Sequence, residues 1–278
     1  DMTQYDPFGR EVFKYLPSAW TATDGTKNDG NFKLDPFTQQ ANFYNSASST
    51  SPITGQGETF FYGETRYEPS PLNRVTETAA PGNSWSGTMY QSTEANRRSV
   101  KQKYWVNTLT DNVQMWTVNE PTFGNIGTYT MNGAYPAGTL RKSVSVDENG
   151  KQVIEFRDKD NLVVLRKVQN TATADNGNGK NHTGWLSTYY IYDLLGRLRC
   201  VLQPRGTEVF LAQGGTLGSQ QLAYDQCFRY EYDGRNRMII KKVPGADMVY
   251  MVYDALDRLM MTQDGNERAA NKWMVTLY

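Results

Sequence analysis

The sequence predicts an all-β chain, an antiparallel meander of short hairpins preceded by an irregular N-terminal region. Three observations carry this. Tyr 18, Phe 11 and Trp 6 stand beside 24 glycines in a chain only 38% hydrophobic, a balance that favours short aromatic-rich strands and many turns over helices. An Asp-led phrase recurs along the chain with Gly, Asn or Asp three residues on. Runs of about six residues, the length of a strand, flank the later copies.

Residues 1–98 are expected to form the irregular region. Seven of the eleven prolines lie in residues 1–81, and the run from Asn45 to Pro52 is small and polar, so long ladders are disfavoured there. Helix is expected only in short pieces near Gln39 to Tyr44 and Glu208 to Gln213. Residues 99–278 are assigned to the sheet.

The recurring phrase reads Tyr5-Asp6-Pro7-Phe8-Gly9-Arg10, Val146-Asp147-Glu148-Asn149-Gly150-Lys151, Tyr192-Asp193-Leu194-Leu195-Gly196-Arg197, Tyr232-Asp233-Gly234-Arg235-Asn236-Arg237 and Tyr253-Asp254-Ala255-Leu256-Asp257-Arg258. A degenerate copy lies at Asp158-Lys159-Asp160-Asn161. In each, the Asp carboxylate can accept from turn amides, and the residue three later is of a type that tolerates positive φ. Pro7 supplies the φ wanted at the second position. The phrase therefore predicts a type I turn followed by a left-handed residue, which closes two antiparallel strands and sets their register.

The flanks agree. Thr188 to Tyr192 enters the Asp193 turn and Leu198 to Leu202 leaves it; Met238 to Val243 runs to a Pro244-Gly245 turn, and Met248 to Tyr253 returns. That last run is apolar at both alternating sets of positions, so both sheet faces are expected to be at least partly covered. Asp264-Gly265 marks a further turn and Trp273 to Tyr278 a further strand. Residues 188–278 thus form a meander with one excursion, Pro204 to Gln226. Tyr278 follows Tyr253 by 25 residues, and stands where the tyrosine of another copy belongs. The sheet is accordingly expected to be truncated at its C-terminal end, with an open edge.

Composition narrows the function classes. Lys plus Arg number 29 and Asp plus Glu 29, so there is no basic footprint for nucleic acid. No run approaches the about 20 apolar residues of a membrane-spanning helix. A single histidine, His182, and two cysteines exclude zinc sites built wholly from N and S ligands. His182 sits in Asp175-Asn-Gly-Asn-Gly-Lys-Asn-His182, which reads as a solvated loop tip and a poor place for a preorganised base. Cys200 and Cys227 fall in strands beside apolar neighbours and read as buried free thiols, with a disulfide between them as the alternative. Asp158-x-Asp160-x-Leu162 lacks the third ligand and the glycine of a calcium loop. No motif promotes a carboxylate pair for glycosidic cleavage, although 29 acidic residues leave such a hydrolase as a third reading. No catalytic, cofactor-binding or metal-ligating residue is assigned. The binding candidates are aromatics of the middle region, with Trp85, Trp105 and Trp116 as possible platforms for stacking on sugars, against the alternative of core packing.

The Tyr-Asp-x-x-Gly-Arg copies, and in particular YDLLGRLRCVLQP and YEYDGRNRMIIKKVPGADMVYMVYDALDRLMMTQDGN, resemble the YD repeats of the RHS and teneurin superfamily over most of residues 185–278. YDPFGREVFKYLP and ETRYEPSPLNRVTETAAPGNSW resemble an uncharacterised domain found ahead of such arrays in large bacterial surface proteins. The resemblance implies a sheet that curves into a hollow shell. It also implies a secreted or cell-surface location, and partners in the same polypeptide: the remaining repeats and a C-terminal toxin or effector. In that frame the chain is a non-catalytic structural segment, and a glycan-binding module is the alternative. Asp6-Pro7-Phe8-Gly9 and Asp35-Pro36-Phe37-Thr38 echo the DPxG phrase of the family's self-cleavage element. The first is better read as a repeat turn, and the second lacks the glycine.

Overall fold

In a computed structural model of the chain, residues 2–18, 35–122, 124–173, 175–212 and 225–278 are described. The chain is all-β and antiparallel, and its Cα trace divides into two compact units, Asp1–Lys103 with Val144–Gln152, and Tyr104–Ser143 with Val153–Tyr278.

In the first unit β1 (Thr3–Tyr5), β2 (Glu11–Tyr15), β3 (Tyr62–Tyr67), β4 (Val75–Ala79) and β5 (Val100–Val106) pair in chain order. Helix α1 (Pro36–Phe43) begins on the second DPxG-like phrase, with Pro36 in its first turn where no amide is missed. This expected helix is present, slightly longer than its sequence pattern. Short 3₁₀ turns at Ser86–Tyr90 and Glu94–Asn96 follow β4.

Chain order also rules the second unit. Strand β5 leads to the separate hairpin β6 (Gln114–Asn119) and β7 (Thr128–Ala134), then to β8 (Arg141–Val146) and β9 (Gln152–Arg157). From β9 the ladder continues through β10 (Val163–Gln169), β11 (Trp185–Tyr192), β12 (Leu198–Leu202), β13 (Cys227–Tyr232), β14 (Met238–Lys242), β15 (Val249–Tyr253), β16 (Leu259–Gln263) and β17 (Met274–Val275). Helix α2 (Pro204–Ala212) leaves β12 as expected; Gln213 and the following residues up to 224 lie outside the described residues.

The Asp264-Gly265 phrase, read as a simple turn, instead starts a short helix α3 (Gly265–Ala269). Asp264 accepts from the Glu267 amide while the Glu267 side chain accepts from the Asp264 amide, a reciprocal capping box that the D-x-x-E spacing encodes.

The apolar core of the second unit includes Ile154, Phe156, Leu165, Tyr189, Leu202, Phe210 and Ile240, all nearly inaccessible to solvent. Cys200 and Cys227 are both buried thiols and are not joined by a disulfide. One face of this sheet is covered by the chain itself. The Gln114 amide donates to Tyr189 Oη at 2.9 Å, Tyr129 Oη to the Arg199 carbonyl at 2.9 Å, and Tyr250 Oη to the Gly124 carbonyl at 3.2 Å. These bonds lay the β6–β7 segment across β11 to β15. Coverage thins toward the end of the meander, where β15 is half-buried and Val252 is exposed.

Candidate functional site

The repeat turns share one geometry. Asp6, Asp147, Asp158, Asp193, Asp233 and Asp254 each accept, through Oδ1, from the amides two and four residues on, at distances between 2.7 and 3.0 Å. The amide of each Asp bonds the carbonyl four residues later, and its carbonyl accepts from the residue three later. That third residue has positive φ in every copy: Gly9 74°, Gly150 80°, Asn161 66°, Gly196 74°, Asn236 62° and Asp257 62°. Only residues of low cost in the left-handed region occupy it. Beside Tyr5, Tyr192, Tyr232 and Tyr253 the pairing register shifts, so each return strand carries one extra residue.

The terminal arginine of the phrase joins one turn to the next. Arg10, Arg197, Arg237 and Arg258 each place Nε on Oδ2 of their own turn aspartate, at 2.6, 2.7, 2.8 and 2.7 Å. Their guanidinium groups lie over the rings of Tyr67, Tyr232, Tyr253 and Tyr278 at 4.8, 5.4, 5.0 and 5.0 Å. Each of those tyrosines donates its hydroxyl to a carbonyl of the preceding hairpin, at Glu11, Leu198, Met238 and Leu259. Tyr278 thus makes the contacts of a repeat tyrosine.

Tyr67 reveals a turn that the phrase search missed. Glu68 replaces the aspartate, its amide bonds the Arg74 carbonyl, Asn73 holds φ 53°, and Arg74 pairs with the Glu68 carboxylate. The signal was Tyr-Glu followed by Asn-Arg, lengthened by two residues, and the pair Tyr67↔Val75 records that insertion.

Beneath the Asp193 turn is a buried ionic cluster. Arg199, 1% exposed, pairs with Asp193 Oδ2, Glu231 and Glu120. Glu231 accepts from the Gly127 amide at 2.7 Å and Arg229 donates to the Gly127 carbonyl at 2.6 Å. A side chain at residue 127 would meet the Asn119 carbonyl at 2.8 Å, so glycine is what lets this loop reach the sheet. Burial pushes the Glu231 carboxyl up despite these donors.

His182 is not the solvated loop residue that its local composition predicts. Lys167 Nζ, fully buried, donates to the carbonyls of Asp111, Gly179 and Asn181, and Lys142 pairs with Asp111 at 2.6 Å and donates to the Asn178 carbonyl. These two lysines, on β10 and β8, pull the loop inward. His182 then bonds Ser187 Oγ at 2.9 Å through Nδ1 and faces Tyr189 Oη and the Asn112 carbonyl, each at 3.2 Å, through Nε2. Burial, with the Lys167 charge, lowers its pKa to about 4. The Ser187 hydroxyl it meets is itself buried.

The three tryptophans have separate environments. Arg98 lies 4.2 Å from the Trp85 ring centre, covering one face. Trp116 packs edge-on against Tyr189 and Phe210, at 5.6 and 5.2 Å. Trp105 is the exposed one at 41%, with Lys142 Nζ 5.7 Å from its ring. Trp116 also lines a cavity of about 600 Å³ together with Tyr135, Asp158, Leu162, Tyr192 and Asp193, and among the described residues its buried Nε1 has no hydrogen-bond partner. Among the described residues no group of three or more His, Cys, Asp and Glu is placed to hold a metal ion, and no helix is long and apolar enough to cross a membrane.

Residues 1–99 match the family model of a domain of unknown function, DUF6443. No curated protein matches the chain. Among solved structures the chain is similar to a crystal structure of TcdB2-TccC3-TEV, at 14% identity and a TM-score of 0.49. It is also similar to TcdB2-TccC3 without its hypervariable C-terminal region, at 13% and 0.48, and to a Photorhabdus luminescens Tc holotoxin pore, at 13% and 0.47. Each comparison covers 94% of this chain and 9% of the other, so the chain spans about a tenth of the length of those proteins. Four of the Asp-led turns, at Asp6, Asp193, Asp233 and Asp254, are thus each coupled by an arginine to the ring of a following tyrosine in an antiparallel meander.

Proposed function

We propose that the chain is a non-catalytic structural segment of an RHS-type shell in a secreted or cell-surface protein. Its partners are the remaining repeats and a C-terminal toxin or effector of the same polypeptide, which the shell encloses or presents. Residues 1–98 form its N-terminal region and residues 99–278 its repeat sheet, a division that the DUF6443 match over residues 1–99 supports. The observation that supports a shell role is the coupling of arginine to tyrosine at the Asp193, Asp233 and Asp254 turns, since each of these is completed by its neighbour and the arrangement extends by repetition. This reading gives the chain no reaction of its own.

The test uses the full natural polypeptide. A downstream domain should resist protease in the intact protein and become cleavable when Arg197 and Arg237 are both replaced by leucine. Equal cleavage of the two proteins would overturn the shell reading. A second reading, glycan recognition, is favoured only by the exposure of Trp105 at 41% beside Tyr104 at 38%. A glycan panel read for bound label and for new reducing ends decides it: binding lost in Trp105→Ala supports recognition, new reducing ends support hydrolysis, and silence leaves the structural role.

A further inference from the structure

The turn opened by Asp158 departs from its neighbours in one respect. Its Oδ1 accepts from Asp160 and Leu162 amides at 2.9 Å, and Asn161 takes the left-handed position, as in every other copy. The residue four after the aspartate, arginine in four other turns, is Leu162.

In those turns one arginine satisfies several groups at once. Arg197 bonds Asp193 Oδ2, reaches the Asp233 carbonyl at 3.3 Å and lies over Tyr232; Arg237 bonds Asp233 Oδ2, reaches the Asp254 carbonyl at 3.0 Å and lies over Tyr253. Arg10 does the same with Asp6, the Glu68 carbonyl and Tyr67. The equivalent groups for the Asp158 turn are Asp158 Oδ2, the Asp193 carbonyl and the Tyr192 ring. Among the described residues no side chain donates to the first two and no cation lies over the third. All three residues line the 600 Å³ cavity, as does Leu162.

We propose that this cavity binds the arginine side chain of a peptide segment supplied by another polypeptide, its guanidinium occupying the place the repeat pattern gives to an in-chain arginine. The charge balance fits. Asp158 and Asp160 line the cavity against Lys159, while Asp193 is already paired with Arg197 and Arg199. The geometry selects a guanidinium over an ammonium, because a planar fork reaches a carboxylate and a carbonyl together while stacking on a ring. The cavity exceeds the volume of one side chain, and its other wall, Trp116 and Tyr135, has a spare donor in Trp116 Nε1 for a carbonyl of the flanking peptide.

The experiment is an NMR titration of the 278-residue chain with Nα-acetyl-arginine amide and with the neutral, nearly isosteric citrulline amide, following the Trp116 indole N–H assigned through Trp116→Phe. The arginine compound should saturate the shift, and the citrulline compound should bind about tenfold more weakly or less. Asp158→Asn keeps the Oδ1 acceptor of the turn and should bring arginine binding down to the citrulline level. Leu162→Arg should fill the place from within, raising the unfolding midpoint and abolishing the response. No response to arginine amide, equal response to both compounds, or full binding in Asp158→Asn would each overturn the proposal. If Leu162→Arg does not fold, the Asp158→Asn comparison decides alone.

Discussion

Replacing Asp193 tests how much a turn aspartate contributes as a cap and how much as a charge. Its Oδ1 accepts from the amides of Leu195 and Arg197 at 3.0 Å each, and its Oδ2 from Arg197 Nε at 2.7 Å and Arg199 Nη1 at 3.3 Å. Asp193→Asn keeps the cap and removes the charge, whereas Asp193→Ala removes both. Two amides left without their acceptor resemble a lost helix N-cap, about 1 kcal/mol. Losing the charge facing Arg199 costs about 1–2 kcal/mol more. It stays below the roughly 3–5 kcal/mol of a fully broken buried pair because Glu120 and Glu231 still face that guanidinium. The expected losses are therefore about 1–2 kcal/mol for asparagine and about 2–3 kcal/mol for alanine, read from urea unfolding at unchanged m. The effect has a pH signature. Burial pushes the Asp193 carboxyl up, but the Arg197 amide and guanidinium and the Leu195 amide more than offset it, leaving the pKa below its ordinary value of 3.8. The unfolded chain then takes up protons first as pH falls, so the stabilisation holds above the unfolded value and is lost on passing down through the folded one. The gap between wild type and Asp193→Ala should shrink below about pH 4. Equal midpoints at neutral pH, or a gap unchanged in acid, would refute the reasoning.

Gly196→Val should destabilise by about 1 kcal/mol or more, because φ is +74° and the nearest atom to an added Cβ is 3.8 Å away, leaving strain and not crowding as the cause. Gly196→Asn should lose much less in the same unfolding assay, and equal losses would contradict the strain argument. His182 gives a single imidazole resonance, which should titrate near pH 4; a midpoint at the ordinary 6.5 would show a solvated ring. Because the folded value is depressed, the neutral ring's contribution is full above the unfolded pKa and is lost progressively as pH falls from 6.5 toward 4. Burial pushes the Cys200 thiol up, and both cysteines are buried, so a thiol reagent should find neither in the native chain and both after denaturation without reductant. Finding none after denaturation would mean a disulfide.

The hairpins were legible because their determinants are local: an aspartate, a residue permitting positive φ three places on, and strand-forming flanks. Helix α3 was legible in principle from Asp264 and Glu267 but was read as a turn, since a short capping box and a turn begin alike. The Glu68 turn escaped because both its acid and its length differ from the repeat. What no local pattern shows is the reach of long side chains between elements. The ammonium groups of Lys142 and Lys167 are buried against loop carbonyls, and this draws in the loop whose composition alone suggests a solvated His182. The arginine at the end of each phrase was visible in sequence, but its ring partner lies in the next hairpin and needed the register to identify it. Trp116 read as a sugar platform, whereas its edge contacts with Tyr189 and Phe210 depend on α2 and β11 converging on it.

The contacts that hold the second unit divide by sequence separation, and this sets an order of assembly. Within a turn the carboxylate bonds span two to four residues, so each hairpin can close on the microsecond scale as soon as its own strands exist. The bonds that fasten the β6–β7 segment span far more chain: 75 residues from Gln114 to Tyr189, 104 from Gly127 to Glu231 and 126 from Gly124 to Tyr250. During synthesis that segment emerges well before the strands that receive it, and Arg199, Arg229 and Glu231 stay hydrated until it docks. On that ordering the stripping of water from a charged face is expected to come after the pairing of strands and to be the slower step.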